Sequence, residues 1–123
     1  MDERTETALR ASIKHWEENV AAATPNEAST QPEDCALCRM FAIGARDRCG
    51  GCPVADAGYP GCDGSPWGRA WEGLEIWRAA VDMEAQGRGN AKTAAAPKNW
   101  RKAAQAELDF LRSLLPGESG ETK

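Results

Sequence analysis

The spacing of its cysteines constrains this chain more than any other feature. Cys35 and Cys38 form one C-x-x-C pair, Cys49 and Cys52 form a second, and Cys62 follows in "CPVADAGYPGCDG". A C-x-x-C turn brings two sulfurs to one ion, and two such turns complete a tetrahedral set of four thiolates. The metal reading therefore takes in Cys35, Cys38, Cys49, Cys52 and Cys62, five candidates for four places. The two pairs are the simplest set. Gly61 and Gly64 bracket Cys62, however, and glycine lets a backbone pass close to an ion, so Cys35, Cys38, Cys52 and Cys62 are an equally good set.

Disulfides are the competing explanation, and compartment decides against them. The start, "MDERTETALR", carries acid where a secretory signal would carry base, and no apolar segment follows it. A cytoplasmic location is expected, where thiols stay reduced and clustered cysteines read as metal ligands. Zn2+ is the default ion for four thiolates, in a structural role. A [4Fe-4S] cluster is the alternative, because the same thiolates would serve it and Cys52-Pro53 echoes the Cys-Pro found beside some clusters. A catalytic zinc would need an open position and usually histidine or carboxylate ligands, and the chain has one histidine.

Around the cysteines the pattern is helical, and the expected fold class is mostly α. Leu9, Ile13, Trp16 and Val20 share one stripe of a helix expected from about Glu3 to Ala22. "TPNEASTQPED" has two prolines and no period, so it reads as a loop, and "CALCRMFAIGA" has room for one or two helical turns. Ser65 and Pro66 form an N-cap and first helical position, opening a second helix to about Gln86 with Trp67, Trp71, Leu74, Trp77 or Arg78, and Val81 inward. "GRGNAKTAAAPKN" reads as an interruption. A third helix is expected from about Lys98 to Leu115, with Trp100, Ala104, Leu108, Leu111 and Leu115 on one face and Pro116-Gly117 as its stop. With 123 residues this makes one domain over residues 1–115, a cysteine-rich insert at 35–66, and a flexible tail at 116–123. The insert has few apolar residues, so a metal is its expected source of order.

Other residues carry weaker signals. His15 lies off the apolar stripe, as a fifth ligand, as a base beside a cysteine, or, in the simplest reading, as a half-exposed helix residue or one that donates a hydrogen bond to the cysteine loop. Trp67, Trp71 and Trp77 stand at helical spacing and read as core. Lys98, Arg101, Lys102 and Arg112, with Arg39, Arg46 and Arg48, suggest a phosphate-facing patch, but the interleaved Glu107 and Asp109 point to an ordinary solvated face. A net charge of −4 likewise does not favour nucleic acid. No apolar run approaches the roughly 20 residues of a membrane span. No phosphate loop, Ser-His-Asp grouping or convincing carboxylate pair appears, so no enzyme is expected.

The segments "ALRASIKHWEEN", "CALCRMF" and "RCGGCPVADAGYPGCDGSPW" together resemble a family of small uncharacterised proteins encoded by phages and prophages. Its pattern is a helix with Ser-Ile-x-His-Trp, then C-x-x-C, C-x-x-C-Pro-Val or Ile, Gly-x-x-Gly-Cys and Thr-Pro-Tyr. The match runs from about Ala8 to Trp67 and marks Ser12, Ile13, His15, Trp16, the five cysteines, Pro53, Val54, Gly58, Gly61 and Pro66. Ser65 stands where the pattern has threonine, and Trp67 where it has tyrosine. The resemblance implies a phage context and associates His15 and Cys62 with the metal site, without implying an activity. The expectation is a non-enzymatic metal-binding protein that binds a host or phage protein and modulates a host process or defence system. The alternatives are an iron-sulfur redox or sensor protein and a zinc-dependent nucleic-acid binder.

Overall fold

The computed structural model describes residues 3–30 and 66–115. Three helices account for most of them: α1 (Glu3–Ala21), α2 (Trp67–Ala85) and α3 (Ala91–Ser113), with a single 3-10 turn at Pro25–Glu27 after α1. Among the described residues there is no strand, and no helix is long and apolar enough to cross a membrane. The mostly helical fold expected from the sequence is what forms among the described residues. The insert and the tail lie outside the described residues.

α1 ends one residue before its expected limit, and Leu9, Ile13 and Trp16 are buried as the stripe requires, with Val20 packed at its edge. The same face also buries Thr5, Ser12 and Asn19. Ser65 lies outside the described residues. Pro66 has helical angles (φ −56°, ψ −14°) and its carbonyl accepts the first backbone bond of α2, from Ala70.

α2 buries a different stripe from the one its aromatics suggest. Ala70, Leu74, Trp77 and Ala80 face inward, Trp67 is half-buried, and Trp71 (44% exposed) and Val81 face solvent. The reason lies in the small residues. Gly73 sits against Trp100 and Ala103 of α3, a Cβ added there coming 3.6 Å from the Trp100 backbone. Small side chains let two helices approach closely, so the alanine and glycine positions, with Leu74 and Trp77, define the contact while Trp71 falls on its flank.

A five-residue connection folds α3 back against α2. At its start α2 ends in a Schellman motif: Arg88 N–H donates to Met83 O (2.8 Å) and Gly87 N–H to Glu84 O (3.1 Å). Gly87 takes φ +72°, a left-handed conformation that favours glycine. Three residues later Asn90 opens α3 with a capping box, its Oδ1 accepting from Lys92 and Thr93 N–H while Thr93 Oγ1 accepts from Asn90 N–H at 2.7 Å.

That cap corrects the expected start of the third helix from Lys98 to Ala91, so that Pro97 lies inside α3. Proline in a helix removes one backbone bond and crowds the preceding turn. Here the capping box secures the first turn, Ala91, Ala94, Ala95 and Ala96 are strong helix formers, and Thr93 and Ala96 are buried. These terms outweigh the proline.

Trp100 is the centre of the core. Its ring lies 6.1 Å from that of Trp16 and 6.3 Å from that of Trp77, joining all three helices. Its indole N–H donates to the Asn19 carbonyl at 3.2 Å, which satisfies a polar group that burial would otherwise penalise. Ala104, Leu108, Leu111 and Leu115 extend the buried face of α3 as its period predicts.

Candidate functional site

Cys35, Cys38, Cys49, Cys52 and Cys62 lie outside the described residues, together with Pro53, Val54, Gly58 and Gly61. Among the described residues no group of three or more His, Cys, Asp or Glu side chains is placed to hold a metal. What the structure does describe is the junction from which the chain departs toward Cys35.

That junction is built on the last turns of α1. Asn19, fully buried, grips the backbone of Ser29 at two points: its Nδ2 donates to Ser29 O at 2.9 Å, and its Oδ1 accepts from Ser29 N–H at 3.1 Å. His15, one turn earlier and half-buried, places Nε2 2.9 Å from the same Ser29 carbonyl. A carbonyl only accepts, so Nε2 carries the proton, and in the neutral ring the lone pair sits on Nδ1. The His15 ring also meets Trp16 edge-on at 6.1 Å.

The residues beside Ser29 are buried too. Ala28 joins the core, its N–H donating to Pro25 O, and Thr30 is 3% exposed. The Thr30 hydroxyl finds no hydrogen-bond partner among the described residues. The 3-10 turn contacts α2, so this loop is packed against two helices and its exit is fixed five residues before Cys35. The arrangement has the chemistry of a backbone clamp. His15 is half-buried and donates to Ser29 of the connecting loop, while its expected contact with the cysteine loop falls outside the described residues; Asn19 was not legible as a functional residue. Its one signal is an amide three residues after Trp16, on the buried side of an amphipathic helix.

The basic residues of α3 are sorted differently from their order in the sequence. Glu107 is buried at 3% exposure, so it does not belong to the solvated face expected from its place in the sequence. Arg112 pairs with Glu17 of α1 at 2.8 Å. Lys98, Arg101 and Lys102 are exposed.

Comparison with protein-family models, with curated proteins and with solved structures finds no match to this chain. Fold and junction together define a class in physical terms: among the described residues, three helices around a tryptophan-centred core and a clamped loop that leads toward the cysteine-rich segment.

Proposed function

We infer that this is a small non-enzymatic metal-binding protein of phage or prophage type, which acts in the cytoplasm by binding a host or phage protein and so modulates a host process or defence system. The observation that carries the metal reading is the cysteine spacing: two C-x-x-C pairs and Cys62 within 28 residues. Structural zinc held by four of Cys35, Cys38, Cys49, Cys52 and Cys62 is the preferred occupant. The clamp on Ser29 supports this reading, because a segment that folds around an ion gains from having its entry already fixed. Apparent binding energies of about 10–16 kcal/mol for such sites would be enough to order the insert.

Elemental analysis of the purified protein tests the reading directly. One equivalent of zinc in a colourless protein is expected, and Cys38→Ser should lose the metal and the order of the insert. Visible absorption that bleaches on reduction would replace zinc with an iron-sulfur cluster, the alternative that Cys52-Pro53 favours. Full metal content and unchanged thermal stability in Cys38→Ser would refute a four-thiolate structural site.

A further inference from the structure

From Arg88 to Ala106 the chain carries five bases and no acid, in a protein whose net charge is −4, so this one segment holds +5 against −9 for everything else. Arg88, Lys92, Lys98, Arg101 and Lys102 are all exposed. Arg88 lies 3.4 Å from Gln86 Oε1, and among the described residues none of the five forms an ion pair. The first turn of α3 has no acidic residue either, so the positive end of its helix dipole adds to the same field. Glu107, the acid that linear interleaving puts beside these bases, is buried.

We propose that the solvent face of the N-terminal half of α3 is a contact surface for the phosphate backbone of a nucleic acid. Lys92 and Lys102 stand ten positions apart, about 15 Å of helix axis. Duplex DNA presents a negative charge about every 1.7 Å, so roughly nine phosphates lie within that reach, more than enough for four cations to engage. A protein partner fits this face poorly, because protein interfaces centre on buried aromatic and apolar anchors. Between the bases the exposed positions are Gly89, Asn90, Ala91, Ala94 and Asn99, and the exposed large apolar residues Trp71, Ile76 and Val81 all belong to α2. With no such anchor and no exposed aromatic on this face of α3, the contact is electrostatic and independent of base sequence. It does not depend on the metal reading, and the two fail separately.

Fluorescence anisotropy with a labelled DNA duplex of about 20 base pairs, titrated with the full-length protein across a salt series, tests the proposal. Four phosphate contacts predict a slope of log K on log salt near −3.6, a loss of affinity on the order of a hundredfold between about 50 and 200 mM salt. The variant Lys98→Ala/Arg101→Ala/Lys102→Ala changes three exposed positions to the best helix former and should flatten the slope to about −0.9, roughly a threefold loss over the same range. A charge-conserving Lys98→Arg/Arg101→Lys variant should keep the original slope. Absence of binding at low salt, a slope unchanged in the triple alanine variant, or preference for a poly-glutamate tracer over the duplex would each overturn the proposal, the last in favour of an acidic protein partner.

Discussion

Replacing Asn19 with alanine removes the two-point grip on Ser29 while leaving the α1 backbone, and with it the Asn19 carbonyl that receives the Trp100 indole, in place. The deleted bonds measure 2.9 and 3.1 Å and belong to a side chain with no solvent exposure. Each hydrogen bond contributes about 1 kcal/mol net, and a buried group left without its partner costs a further 1–3 kcal/mol. The expected loss is about 2–4 kcal/mol. For a domain of this size each kcal/mol moves the melting temperature by roughly 4 °C, so a fall of about 8–16 °C is expected by differential scanning calorimetry. Urea denaturation gives the same quantity independently, as a lower midpoint at unchanged slope. His15→Ala should cost less, about 1 kcal/mol, since it removes one bond from a half-buried residue. Because His15 and Asn19 share the Ser29 carbonyl, the double variant should depart from additivity by at least 0.5 kcal/mol. A loss below about 1 kcal/mol for Asn19→Ala would refute the clamp.

Two glycines make a contrasting pair of tests. Gly73→Ala should stabilise the protein by about 1 kcal/mol, because it lies in the interior of α2 and the new Cβ would meet its nearest neighbours at 3.6–3.9 Å, ordinary contact distance. A fall in melting temperature would show that the α2–α3 contact is tighter than described. Gly87→Ala should destabilise by about 1 kcal/mol, although no atom lies within 4 Å of the added Cβ, because the residue holds φ +72°. An unchanged midpoint in denaturant would contradict the backbone argument.

Helical periodicity carried most of the fold into the sequence. The stripe through Leu9, Ile13 and Trp16 and the stripe through Trp100, Ala104, Leu108 and Leu111 are long and apolar, and both are buried. α2 was harder, because its contact face includes Ala70, Ala80 and Gly73, and residue size rather than hydrophobicity sets how closely helices approach. The start of α3 was hidden by Pro97: proline reads as a breaker, and only the reciprocal bonds between Asn90 and Thr93 show that the helix was already under way. Of the candidate site, His15 was visible as a singular residue, but its acceptor was not. Ser29 meets α1 only through the folding of the loop, which no period encodes.

The same geometry changes how the charges of α3 are counted. Along the sequence Lys98, Arg101, Lys102, Glu107, Asp109 and Arg112 look like an interleaved, solvated mixture. On the helix, Glu107 falls seven residues after Trp100 and four before Leu111, the spacing that places all three on one side, and all three are buried. Arg112 is drawn to Glu17 of α1 at 2.8 Å, and Asp109 lies 4.0 Å from Arg112. Those exposed pairs contribute little stability, yet they remove both residues from the local balance. What is left toward the N-terminus is basic only, so the same linear interleaving that spoke against an electrostatic surface becomes, once wound into a helix, the reason that one exists.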